Sequence, residues 1–195
     1  MSRINSGTPP QLSEKKDFIS CCFDWVEALI MALIGVMIIF VFLFRLNVVV
    51  SGKSMEPNYY EGYRIFVNCE DRNYTRGDVV VIDSEGNGLK ERIIKRVIAT
   101  EGQKVRIDSA KGYVYVNDKM LDESAYIRNG ITKIEGIQLP MQFPLIVPKG
   151  KVFVLGDHRE VSVDSRYKSV GLIDTRYIIG KVPFLLSPFS TFSKK

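Results

Sequence analysis

Seventeen consecutive apolar residues, Ala28 to Phe44 (ALIMALIGVMIIFVFLF), constrain this chain more than any other feature: they hold no charge, no Asn, Gln or Pro, and a single Gly. As a helix the run is about 26 Å long at roughly 1.5 Å per residue, close to the roughly 30 Å of a bilayer core. Cys22, Phe23, Trp25 and Val26 extend it, Asp24 and Glu27 fall at headgroup depth, and Trp25 suits the interface. All-round apolarity at this length argues for a span over a core helix. A cleaved leader would start nearer Met1, carry a shorter apolar stretch and end at a small-x-small site, which does not follow Phe44. The reading is a single uncleaved anchor over 25–45, with 1–24 as a cytoplasmic tail and 46–195 as an extracytoplasmic domain. Arg3, Lys15 and Lys16 before the run, against Arg45 and Lys53 after it, favour a cytoplasmic N-terminus by a small margin.

The rest of the 195-residue chain has the composition of a folded protein, 46% hydrophobic and 25% charged overall. Net charge is +5, and residues 1–45, with as many acidic as basic groups, contribute none of it. That is too mild for a nucleic-acid partner; beside an anionic membrane it would draw the domain toward lipid. Cys21 and Cys22 lie at the membrane edge, leaving Cys69 alone in the soluble part, so its fold stands without an internal disulfide. With His158 as the only histidine, a multi-ligand zinc site lacks material, and no metal is expected. Met1 to Ser13, polar with Gly and Pro-Pro, reads as disordered.

Beyond Leu46 short β-branched runs alternate with Gly, Asp and Asn, which is a strand pattern. Expected strands are Leu46–Val50, Tyr63–Asn68, Asp78–Asp83, Arg92–Thr100, Lys104–Ile107, Tyr113–Val116, Lys119–Leu121, Leu145–Val147, Val152–Leu155 and Tyr177–Val182. Asn117-Asp118 between two of them is a two-residue hairpin signal. The soluble part is mostly β, with a less regular insert over 122–143.

Three polar clusters carry chemistry: Ser51–Pro57 after the first strand, Lys95-Arg96-Val97-Ile98 within an apolar strand, and Gly156–Arg166 after another. A serine hydroxyl is a weak nucleophile unless a base takes its proton. Lysine serves only when neutral, so its pKa must fall from about 10.4, and burial in an apolar wall lowers it. The strand Ile93-Ile94-Lys95-Arg96-Val97-Ile98 could supply such a wall. Taken singly, Lys95 could equally be a strand-edge lysine in water and Ser54 a turn serine.

Together the clusters resemble bacterial type I signal peptidases. The serine box S-M-x-P stands as Ser54-Met55-Glu56-Pro57, the lysine box K-R-V-I as Lys95–Ile98, and the R-G-D-V/I-V segment as Arg76–Val80. The C-terminal box G-D-N-R-x-x-S-x-D-S-R is Gly156–Arg166 with His158 for Asn. The resemblance covers roughly Leu29 to Phe192. It implies a membrane-anchored serine endopeptidase on a signal-peptidase-like β-rich catalytic domain. Such an enzyme removes N-terminal signal peptides from exported preproteins after small-x-small sites and needs no cofactor. By that resemblance Ser54 is the nucleophile, Lys95 the general base, and Ser162 orients the Lys95 amine through a hydrogen bond. Asp164 and Arg166 form a supporting ion pair, the Ser54 backbone N–H holds the oxyanion, and Val50, Met55, Tyr59, Ile93 and Ile94 line apolar substrate pockets.

Gly52, two positions before the nucleophile, together with small size and a single anchor, resembles Gram-positive members. Departures are Asn58-Tyr59 for Thr-Leu, Gly62-Tyr63 for Gly-Asp, and Ala99-Thr100-Glu101-Gly102 for Gly-x-Pro-Gly. They bear on pocket shape and leave open a specialised member serving pilins or another narrow client set. The competing reading is a non-catalytic homologue, a membrane assembly factor or chaperone for secreted subunits. Ser165–Lys168 and Ser13–Lys16 match S-x-x-K but lack the companion S-D-N and K-T-G motifs. Oligomeric state is not readable.

Overall fold

The computed structural model describes residues 11–45, 47–86, 88–127, 131–183 and 185–187. One helix, α1, runs over Gln11–Arg45 (35 residues), so Gln11 to Ser13 are helical where disorder was expected; residues 1–10 of that stretch lie outside the described residues. Between Pro10 and Arg45 no Pro occurs, and Gly35 is the single Gly, so little interrupts helix propagation. Within α1, Cys22–Ile39 is long and apolar enough to cross a membrane, with mean hydropathy 2.1 and none of it buried. The chain divides into Met1–Arg45 and Leu46–Lys195.

The second unit is mostly β, as expected. Its strands are β1 (Asn47–Val49), β2 (Arg64–Phe66), β3 (Val79–Ile82), β4 (Ile93–Ala99), β5 (Lys104–Asp108), β6 (Tyr113–Val116), β7 (Lys119–Met120), β8 (Leu145–Ile146), β9 (Lys151–Leu155), β10 (Ile173–Asp174), β11 (Ile178–Lys181) and β12 (Leu185–Ser187). All pairings are antiparallel, in sheets ordered β1-β2-β12, β10-β9-β4-β3-β11 and β7-β6-β5-β8. The β6–β7 hairpin turns at Asn117 and Asp118, whose φ values of 51° and 62° are the left-handed conformation such a turn needs. Leu46 lies outside the described residues; β10 and β12 were not anticipated, being too short to show a period.

The strand that carries Lys95, β4, is central in the five-stranded sheet and is buried along nearly its whole length. Lys95 pairs with Val80, and Ile82 with Ile93, so these residues share one face with Val97. That face belongs to an apolar cluster with Val152, Val154, Ile173 and Ile178. On the other face Ile94 packs with Val50, Met55, Ile65, Val79 and Val81. The insert has no regular strand or helix among its described residues, only a Pro140–Tyr167 bridge.

Candidate active site

Ser54 lies in the loop joining β1 to β2. The neck of that loop is closed by Val50 N–H to the Tyr63 carbonyl (2.8 Å) and Gly62 N–H to the Val50 carbonyl (2.9 Å). Met55 is fully buried, and its carbonyl accepts from the Asn58 and Tyr59 N–H groups (3.1 and 2.9 Å), so the residue after the serine plugs the loop into the core. Gly52 has φ +80° with open space where a Cβ would stand, so glycine serves conformation there, not clearance.

Lys95 is 3% exposed. Its Nζ stands 2.8 Å from Ser54 Oγ and donates to the Ile94 carbonyl at 3.0 Å. Burial lowers its pKa to about 8; Asp164, Glu91 and Asp157 oppose the shift by favouring the ammonium, and Arg166 assists it. The apolar strand thus does supply the wall that the sequence suggested.

The C-terminal box leaves β9 at Gly156 and folds back on itself. Asp164 accepts from the Gly156 N–H (3.1 Å) and pairs twice with Arg166, Nε to Oδ1 at 2.8 Å and Nη2 to Oδ2 at 3.0 Å, all of it buried. Arg166 also donates to the carbonyls of Arg159 (2.7 Å) and Ser162 (3.1 Å). His158 N–H donates to the Ser54 carbonyl (3.0 Å), and its own carbonyl accepts from Ser162 N–H (3.1 Å). A Cβ on Gly156 would stand 2.2 Å from Ser162 Oγ and 2.5 Å from the Ser54 carbonyl, so the box packs directly against the serine loop.

Ser162 differs from expectation. Its Oγ is buried beside the site without a hydrogen-bond partner, and the Lys95 amine takes the Ile94 carbonyl instead. Proximity to the strand's own carbonyl gives the amine that alternative. The His158 imidazole faces Glu56 at 4.0 Å. Of the anticipated pocket residues, Val50, Met55, Tyr59 and Ile94 gather in one apolar cluster, whereas Ile93 belongs to the cluster on the opposite face of β4.

A polar network around these residues was not anticipated. Asp157 accepts from Arg96 Nε (2.8 Å) and Nη2 (2.6 Å) and from Asn58 Nδ2 (2.8 Å). Arg159 pairs with Glu123 of the insert at 2.6 and 3.0 Å, contacts Thr132, and donates to the Gly156 carbonyl at 3.0 Å. Arg96, Asp157 and Arg159 sit inside or beside the recognised boxes, a signal that could have flagged them. Glu123 and Thr132 lie in a stretch with no periodicity to read.

A family model described as "Signal peptidase, peptidase S26" matches residues 22–187. The chain belongs to this family. It is 35% identical to a signal peptidase I of Bacillus licheniformis over 178 residues, covering 88% of this chain and 92% of that one. A signal peptidase I of Bacillus amyloliquefaciens is 36% identical over 186 residues (93% and 96% covered), and signal peptidase IB of Staphylococcus aureus 33% over 183 residues (87% and 91%). The mostly β domain preceded by one apolar helix is the architecture expected of a signal peptidase, and in this member Ser54 and Lys95 meet in space.

Proposed function

We propose that this protein is a membrane-anchored serine endopeptidase that cuts signal peptides from exported preproteins after small-x-small sites. Ser54 is the nucleophile and Lys95 the general base. The observation that carries the reading is the 2.8 Å separation of Lys95 Nζ and Ser54 Oγ, with the amine buried and its pKa lowered to about 8. A neutral Lys95 accepts the Ser54 proton as Oγ attacks the scissile carbonyl, and the Ser54 backbone N–H is proposed to hold the developing oxyanion. The lysine then gives its proton to the leaving amine. It next takes one from the water that hydrolyses the acyl-enzyme ester, restoring Ser54.

Val50, Met55, Tyr59 and Ile94, which share one apolar cluster, are proposed to bound shallow pockets for the small side chains. Ser162 and the Asp164–Arg166 pair support the base. The tail 1–24 is cytoplasmic, 25–45 spans the membrane, and 46–195 lies outside. Ser54 follows Phe44 by ten residues in sequence, which tethers the nucleophile near membrane-bound substrate and raises its effective concentration. Against a chaperone without catalysis stands the placing of a buried amine of lowered pKa against a serine hydroxyl, an arrangement that costs stability. Incubating the full-length protein in detergent with preproteins bearing Ala-x-Ala sites, and sequencing the new N-termini, tests the proposal. Cleavage after the second Ala that disappears in Ser54→Ala is expected, and a panel left intact by the wild type would overturn the reading.

A further inference from the structure

Asn58 commits both of its amide N–H bonds to acceptors. Nδ2 donates to Asp157 Oδ2 at 2.8 Å and to the Tyr126 carbonyl at 2.7 Å. Since both partners can only accept, the nitrogen must face them, and a carboxylate of the same shape would meet two acceptors with nothing to donate. Asp157 is itself held rigidly: its side chain is fully buried and takes two hydrogen bonds from Arg96, the strand neighbour of Lys95. The Arg96 guanidinium lies 4.4 Å over the Tyr126 ring. Asp157 precedes His158, whose N–H holds the Ser54 carbonyl. Two consecutive residues of the C-terminal box therefore grip the serine loop, one at Ser54 and one at Asn58.

We propose that Asn58 is a positioning residue for Ser54. Its carboxamide fastens the far end of the nucleophile loop to the Arg96–Asp157 pair and to the backbone of the insert, which sets where Ser54 Oγ stands relative to Lys95. This rests on the reading of Ser54 and Lys95 as the reacting pair. Without the Asn58 side chain the loop keeps its neck, the Met55 plug and the His158 contact but loses its tie to the Arg96–Asp157 pair. A misplacement of about 1 Å at a reacting atom costs on the order of a hundredfold in rate. The insert, otherwise irregular, acquires a role: Tyr126 supplies the second acceptor and a ring for Arg96.

The test is kcat and KM of the full-length protein in detergent, on an Ala-x-Ala preprotein, across pH, for wild type, Asn58→Ala, Asn58→Asp and Ser54→Ala. Asn58→Ala is expected to lower kcat roughly tenfold or more, with KM within about twofold. The isosteric Asn58→Asp is expected to be slower still. Its added carboxylate beside Asp157 also moves the acid limb to higher pH than in Asn58→Ala, because it favours the Lys95 ammonium. A space-filling role would reverse that order. Asn58→Asp faster than Asn58→Ala, or either variant with wild-type kcat, overturns the proposal. Circular dichroism at the assay temperature establishes folding. If Asn58→Ala is unfolded, Asn58→Ser, which keeps one donor, must fall between wild type and Asn58→Asp, and any other order overturns the proposal. A Ser54→Ala protein that still cleaves would remove the nucleophile reading underneath; wild-type kcat in Asn58→Ala beside an inert Ser54→Ala removes the positioning role alone.

Discussion

Ser54 and Lys95 stand 41 positions apart in the chain and 2.8 Å apart in space, the hydroxyl on a hairpin loop and the amine on the central strand of a sheet. The loop brings no charged partner of its own to the amine; the apolar face of β4 does the work of lowering its pKa. Removing either group should stop the chemistry without unfolding the domain. Ser54→Ala and Lys95→Ala are each expected to lower kcat/KM by on the order of a thousandfold or more, measured by single-turnover cleavage with unchanged circular dichroism.

The pH profile follows from the same burial. With Lys95 as the proposed base, turnover needs its neutral form, so kcat/KM should rise with pH through a midpoint near 8. Glu91 is one of the charges that favour the ammonium; Glu91→Gln should therefore move the midpoint to lower pH. A plateau already complete below about pH 5, near ordinary carboxylate values, would contradict a lysine base.

Stability should follow pH in the same direction. The folded state holds Lys95 at about 8 against 10.5 unfolded, so between those values the unfolded chain binds more protons and stability rises with pH. Below about 8 the buried ammonium is a full penalty, and above 10.5 it is gone. Lys95→Met should therefore be more stable than wild type at pH 7, with the difference in Tm shrinking toward pH 10. Thermal melts at fixed ionic strength check this.

Ser162 offers a separation of roles. Its Oγ is buried without a partner, so Ser162→Ala should leave stability unchanged or raise it by up to about 1 kcal/mol. If the hydroxyl orients the amine during turnover, kcat nevertheless falls, by roughly tenfold. Denaturant titration and steady-state kinetics on the same preparation give both numbers, and unchanged kcat would leave Ser162 without the orienting role.

The insert is held by a buried ion pair, Arg159 to Glu123 at 2.6 Å, with both side chains almost wholly covered. Glu123→Gln leaves the guanidinium uncompensated and should cost about 3–5 kcal/mol, seen as a lower urea midpoint. Gly156→Ala should be damaging for a different reason. The new methyl meets Ser162 Oγ and the Ser54 carbonyl at 2.2 and 2.5 Å, so it displaces the serine loop and lowers kcat more than its overpacking cost of about 1–3 kcal/mol suggests.

Much of this was legible before any coordinates. The apolar run, the Asn117-Asp118 turn, the lysine strand and the boxes around Ser54, Lys95 and Asp164–Arg166 are local patterns, and local patterns survive in a one-dimensional string. Strands of two or three residues, such as Ile173–Asp174 and Leu185–Ser187, were not legible, because their pairing partners and not their own period define them. The same holds for the second apolar face, which separates Ile93 from Ile94: a period of two assigns adjacent residues to opposite sides, but only the sheet's neighbours say what each side touches.

Sequence alone thus determined the kind of molecule, a mostly β domain of the signal peptidase family preceded by a helix long and apolar enough to cross a membrane, since residue type and spacing dictate both periodicity and motif. Tertiary structure decided which groups meet. Asn58 reaches Asp157 across 99 positions, Arg159 reaches Glu123 across 36, and Lys95 chooses the Ile94 carbonyl over Ser162. Hydrogen bonds and ion pairs extend only about 3 Å and depend on direction, so they are set by how strands and loops close on one another, which no local pattern encodes.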